Sequence, residues 1–287
     1  MNTSFSATIA GIGFRFVSEF PMETPAELLP FPFQGGEAEE LFTLSVITKP
    51  VFFDVPPLFT STRLRVYRTE DGIAREFTAI HSKDGCKAVC VLREDRQNRL
   101  LIPEGILDRF EKNCTLSVML GAEAIFLRHE ALLLHSSVVA YRGKTVLFCG
   151  APGIGKSTQA SLWEQILGAE IINGDRCVIT HRADAFYGCG SPYSGSSGIL
   201  SNKEAPIAMI VLLGQSDKNR LRRLSDAEAF RRLLRELTVN AWDPAFMERC
   251  LSLLIRLVQN VPVYELQCRP DEEAVMLVKE EITEHEF

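Results

Sequence analysis

The chain has little of what marks a membrane, secreted or nucleic-acid-binding protein. No apolar run in it approaches the roughly 20 residues needed to span a bilayer. Met1 to Phe5 has no cationic segment leading into an apolar stretch, so a secretory signal is not expected. Basic excess is also absent: 31 Lys and Arg stand against 37 Asp and Glu, for a net charge of −6. That balance leaves no electrostatic footprint for nucleic acid or an anionic membrane. The one dense basic cluster, Arg220-Leu221-Arg222-Arg223 with Arg231, Arg232 and Arg235, alternates with acids and reads as a solvated helical face. Eight cysteines, at 86, 90, 114, 149, 177, 189, 250 and 268, include no C-x-x-C pair. Disulfide and zinc frameworks therefore lack their spacing, and reduced, buried thiols in a cytoplasmic protein are expected. No internal repeat or low-complexity tract is found.

What is present is ordinary globular material, 46% hydrophobic and 24% charged over 287 residues. That is enough for one large domain or two smaller ones. Residues 1 to 125 carry short β-branched and apolar runs (8–17, 41–48, 64–67, 77–80 and 87–92) between turn-rich stretches, which predicts a β-rich domain of antiparallel strands. Gly11-Ile12-Gly13 has neither the third glycine nor the helix of a dinucleotide fingerprint. A short helix is expected around 103–113.

The rhythm changes in residues 126 to 287. Runs 131–140 and 144–149 predict a buried hairpin, and 156–167 has Ala160, Trp163, Ile166 and Leu167 at helical spacing with Gly168 as its stop. A short strand at 169–172, a hairpin over 177–180 and 185–187, and a strand at 206–213 follow. Ser225-Asp226-Ala227-Glu228 is a capping box that opens a helix to about 237. Asp243-Pro244 starts a long helix to about 259, 261–268 fits a strand, and 270–282 a terminal helix with acids in its first turn. The expected architecture is α/β, a nucleotide-binding domain with a mixed sheet preceded by the β-rich domain.

The chemistry concentrates in Gly150-Ala151-Pro152-Gly153-Ile154-Gly155-Lys156-Ser157, which matches G-x-x-x-x-G-K-[ST] at every required position. Glycines let the backbone turn its amides inward around phosphate without β-carbon clashes, and the following helix adds its positive end. Lys156 would set a cation against the β- and γ-phosphates, and the Ser157 hydroxyl can ligate Mg²⁺. The ligand expected is Mg·ATP. Asp175 ends the strand after the loop's helix, where a carboxylate can hold the metal or take a proton from an acceptor hydroxyl. The alternative there is a plain Asn-Gly-Asp turn. His135 lies in an apolar run, where either a satisfied core histidine or a phosphate or metal contact fits. The polar segment Gly188 to Gly198 suits either an acceptor-binding lid or a simple connection. His81, His129, His181 and His285 have no partners at useful spacing.

Taken together, Leu134-His135-Ser136-Ser137, Gly150 to Thr158, and Asn173-Gly174-Asp175-Arg176 resemble the HPr serine kinase/phosphorylase-like proteins and, more distantly, ATP-dependent phosphoenolpyruvate carboxykinase. Gly190-Ser191-Pro192-Tyr193-Ser194-Gly195, Asn202-Lys203-Glu204-Ala205-Pro206 and Val261-Pro262-Val263-Tyr264-Glu265-Leu266 look like the small stand-alone branch of that group. The likeness spans about residues 131 to 280. It implies a phosphotransferase in which Gly150, Ala151, Pro152, Gly153, Ile154, Gly155, Lys156, Ser157 and Thr158 bind ATP. It further implies that Ser157, Asp175 and His135 lie at the metal, and that Asp175, His135 and Lys156 serve catalysis. The implied partner is a hydroxyl-bearing acceptor, whether peptide, protein or small molecule, with homo-oligomers left open. Two departures stand out. Gly174 replaces the first of the family's paired aspartates, and the Glu-Arg-Gly signature of true HPr kinase/phosphorylases has no counterpart.

Overall fold

The computed structural model describes residues 3–109 and 115–284. The chain divides into two compact units, Met1–Ile125 and Phe126–Phe287, and each is built on a mixed sheet.

The first unit opens with β1 (Thr3–Ile9) and β2 (Ile12–Ser18), an antiparallel hairpin. Its turn puts Ala10 and Gly11 at φ 52° and 82°, so Gly11-Ile12-Gly13 belongs to a hairpin turn. β3 (Glu40–Ile47), β4 (Phe59–Thr60), β5 (Leu64–Thr69), β6 (Gly72–His81), β7 (Lys87–Leu92) and β8 (Gln97–Pro103) complete a sheet ordered β1-β2-β3-β8-β7-β6-β5-β4. The sheet departs from the purely antiparallel expectation, because β2 pairs β3 and β3 pairs β8 in parallel. Side chains alternate identically in both senses of pairing, so the sequence pattern does not tell them apart. Phe16 stacks on Phe5 at 4.8 Å and on Phe42 at 5.5 Å in the core. Instead of an α-helix at 103–113, a 3₁₀ segment runs over Glu104–Arg109, and 110–113 lie outside the described residues. α1 (Thr115–Met119) and α2 (Ala122–Arg128) follow.

In the second unit, β9 (Ala131–Tyr141) and β10 (Lys144–Cys149) form the hairpin read from the sequence. α3 (Lys156–Leu167) ends on Gly168 at φ 65°. β11 (Glu170–Asn173), β12 (Arg176–Arg182), β13 (Ala185–Cys189), β14 (Glu204–Gln215), β15 (Arg220–Arg223) and β16 (Val263–Cys268) fill out the sheet. Its pairings close a circuit, β9–β12–β13–β14–β10–β9, with β10 parallel to β14 and antiparallel to β9. β14 also carries β16 in parallel. Arg220–Arg223 is strand β15, antiparallel to β16, and not part of a helical face.

α4 (Asp226–Leu233) has the complete capping box, Ser225 and Glu228 each bonding the other's backbone amide. It stops four residues short of Leu237, which bridges to Leu134 instead. α5 (Pro244–Asn260) is capped by Asp243 and buries Phe246, Cys250, Leu253, Leu254, Leu257 and Val258, one stripe at helical spacing. α6 (Glu272–Glu284) closes the unit and packs on α3. Trp163 of α3 sits fully buried in the shared core, edge-on to Phe148 and Tyr141. Among the described residues no helix is long and apolar enough to cross a membrane. Of the described cysteines six are buried and Cys268 is half-buried; Cys114 and His285 lie outside the described residues.

Candidate functional site

β10 delivers the chain into the loop 150–155, and α3 takes it out again at Lys156. Gly150, Gly153 and Gly155 have φ of 139°, 79° and 114°, where a β-carbon costs about 1–2 kcal/mol. At Gly150 a β-carbon would press on Ile154 at 3.1 Å and the Leu213 carbonyl at 3.4 Å; at Gly153 and Gly155 it would meet nothing within 4 Å. Gly150 is therefore also a packing requirement, whereas the other two hold a conformation beside open space. Gly155 is the N-cap of α3, and no side chain caps the helix, which leaves its opening amides without the side-chain acceptor that helix starts commonly have. Ala151, Pro152, Ser157 and Thr158 are exposed around this concavity.

Lys156 is only 8% exposed. Its Nζ donates to the Gly150 carbonyl at 2.8 Å and the Ala151 carbonyl at 3.3 Å. Burial pulls its pKa down, while the Glu236 and Asp175 carboxylates push it back up.

The turn after β11 is organised by Asn173, whose Oδ1 accepts the amides of both Asp175 and Arg176 at 2.8 Å. Its Nδ2 donates to the carbonyls of Ser191 and Tyr193 at 3.0 and 3.1 Å, which ties the 188–198 segment to this turn. The Asn-Gly-Asp turn is thus real, and it presents Asp175 to a histidine. His135 Nε2 lies 3.5 Å from Asp175 Oδ1, and Arg176 Nε lies 3.5 Å from Asp175 Oδ2. The hydrogen bond with His135 is the largest cause that lowers the Asp175 pKa below its ordinary value of 3.8; burial opposes it, and Arg176 and Lys156 add to the lowering. Asp175 is therefore an anion at neutral pH.

Gly195, at φ 53°, sits against Asp175: a β-carbon there would come within 2.7 Å of the Asp175 Cβ. Gly174 is covered likewise by Ser197, whose Cβ would stand 2.6 Å from an added β-carbon. An aspartate at 174 would collide with the loop that folds over it.

Among the described residues no cluster of three or more His, Cys, Asp or Glu could hold a metal alone. A hard cation such as Mg²⁺ takes oxygen ligands and keeps substrate phosphates and waters in its shell, so the Ser157 hydroxyl and the Asp175 carboxylate are the oxygen donors here that would suit it. A cavity of about 590 Å³ opens beside the loop, lined by Gly153, Thr158, Gln159, Leu213, Asp217 and Arg269, at the C-terminal ends of β14 and β16.

The structure thus brings together His135, Asp175 and, within electrostatic reach, Lys156. Of the other histidines, His81 donates through Nδ1 to the Ser82 carbonyl and His181 packs on Phe186, both remote in sequence from the loop. Sequence reasoning missed the anchoring role of Asn173, the cavity, and Glu236, whose charge acts on both Lys156 and Cys149. Asn173 could have been found, since asparagine two residues before the turn's end is an Asx-turn signal.

No family model matches the chain, and no curated protein matches it. Among solved structures, the chain is similar to the Hpr(Ser) kinase/phosphatase from Coxiella burnetii, at 12% identity and a TM-score of 0.32, over 53% of this chain and 89% of that one.

Proposed function

We propose that the second unit binds Mg·ATP and transfers its γ-phosphoryl group to a hydroxyl, in a peptide, a protein or a small molecule. The observation that carries the reading is the conjunction of three positive-φ glycines, two of them beside open space, with a buried lysine and an ionised aspartate. The loop amides and the start of α3 receive the phosphates. Lys156 exchanges its two loop carbonyls for phosphate oxygens, and its positive charge offsets the negative charge that builds on them in the transition state. Ser157 and Asp175 would hold magnesium, which would supply positive charge to offset the negative charge of the phosphates. The cavity beside Gly153 and Arg269 takes the nucleoside.

In the transfer, the acceptor oxygen forms a bond to the γ-phosphorus as the bridging β–γ oxygen leaves with its electron pair. The acceptor's proton passes to the Asp175 carboxylate, which His135 and Arg176 orient. A low-pKa carboxylate suits a loose transition state, in which the acceptor keeps its proton until late. The segment 194–198, folded over Gly174 and Asp175, forms the acceptor side. The buried thiols of Cys149, Cys177, Cys189 and Cys250 fit a reducing, cytoplasmic setting.

Calorimetric titration with Mg·ATP tests the first half: saturable uptake by the wild type, lost in Lys156→Ala, is expected. A folded wild-type protein that takes up no nucleotide would end the reading. Single-turnover transfer from γ-labelled ATP to panels of serine peptides and small alcohols tests the second half. A second reading, a nucleotide-responsive regulator without transfer, is favoured by Ser197 closing over Gly174, which leaves one carboxylate at that turn. Nucleotide uptake with no transfer to any acceptor would select it.

A further inference from the structure

β9 has two edges near His135, and they are occupied differently. Backbone groups along a strand point to alternate sides. The Ser136 amide donates to the Asp175 carbonyl at 3.0 Å on one side, and the His135 amide donates to the Glu236 carbonyl at 2.9 Å on the other. The latter side is the one that carries β10 as far as the Cys149–Ser136 pair. Where β10 leaves the ladder to become the glycine loop, residues 236–238 take over the same edge. The Thr238 amide donates to Leu133 at 2.9 Å, and Leu134 bridges Leu237.

This register sets Glu236 directly opposite His135, and Arg176 is opposite His135 across the other edge. Directly opposed residues of an antiparallel pair project from the same face, with β-carbons about 5 Å apart. Arg176, His135 and Glu236 therefore form one row, and the Arg176 bond to Thr238 Oγ1 at 2.9 Å runs along the same face. Glu236 is half-buried there, beside the point where the loop begins, and its charge acts on Lys156 and on the Cys149 thiol.

We propose that Glu236 is a positioning residue that makes the site select metal-loaded over metal-free nucleotide. The proposal rests on the nucleotide reading above and deepens it. A fixed negative charge beside the loop lysine opposes a bare triphosphate, and it opposes the less negative magnesium complex much less.

The test measures the dissociation constant for ATP by calorimetry in Mg²⁺ and in EDTA, for wild type, Glu236→Gln and Glu236→Asp. The wild type is expected to prefer the magnesium complex. Glu236→Gln is expected to cut that preference by about tenfold, mainly by tightening metal-free ATP, as removal of one nearby unit charge should. Glu236→Asp keeps the charge and is expected to keep most of the preference, which a merely structural role of the side chain would not predict. If Glu236→Gln does not fold, Glu236→Met, which also removes the charge at similar length, is measured in its place and is expected to show the same loss of preference. An unchanged preference in folded Glu236→Gln overturns the proposal and leaves nucleotide binding standing. Failure of the wild type to bind ATP under either condition removes the nucleotide reading, and this proposal with it.

Discussion

Gly153→Ala separates a phosphate cradle from a mere turn. Gly153 has φ 79°, with no atom within 4 Å of the position a β-carbon would take. The substitution therefore creates no clash and costs only backbone strain, about 1 kcal/mol, or about 2–4 °C in melting temperature for a unit of this size. Gly143, in the β9–β10 hairpin turn, is a matched control: φ 76°, and again nothing within 4 Å. Both alanine variants should lose the same stability in thermal melts. They should differ in nucleotide uptake, because the Gly153 methyl group would occupy space that phosphate oxygens need. A loss of at least about tenfold in affinity, or about 1.4 kcal/mol, is expected at 153 and none at 143. Equal affinity in both variants would refute the cradle, and equal loss would show that general destabilisation is the cause.

Three further outcomes follow from particular contacts. Asp175 has a depressed pKa in the folded protein, so its stabilisation is fully present above 3.8 and is lost as pH falls through the lower folded value. Asp175→Asn should accordingly lose less stability than the wild type between neutral pH and about pH 3 in urea melts; parallel acid branches would exclude Asp175 as a contributor. Asp243 accepts the amides of Ala245 and Phe246 at 3.1 Å each, and Asp243→Ala should cost about 1 kcal/mol in urea unfolding. Trp163, fully buried between Phe148 and Tyr141, should cost about 3–5 kcal/mol when cut to alanine, a loss measurable as an earlier denaturant midpoint.

Much of the second unit was legible because its signals are local. Strand β10, the glycine loop, α3 and its Gly168 stop follow one another in 25 residues, each marked by residue type. The same holds for the α4 and α5 caps. Edge strand β15 was misread because three of its four residues are exposed, so both faces carry arginine and no alternation survives. The parallel β2–β3–β8 pairings join segments up to 58 residues apart, as the Glu40–Asn98 side-chain bond shows, and nothing local encodes such a partner. Glu236 was invisible for a related reason. It lies 80 residues beyond Lys156 by number, in an irregular stretch after α4, and only the edge of β9 brings it back to the loop.

The ring of strand pairing bears on how any motion at the site can arise. β10 is laddered on both flanks, to β9 and to β14, so the stem that feeds Gly150 cannot slide without breaking two rows of backbone bonds at once. A lid-like response then falls to the downstream wall, where 194–198 follows Ser191 and Tyr193, whose carbonyls the Asn173 carboxamide holds, and Ser197 bonds the Ser194 carbonyl. In amide hydrogen exchange β10 should be among the last segments to open and the serine-glycine flap among the first, giving a stationary anvil beneath a movable clasp.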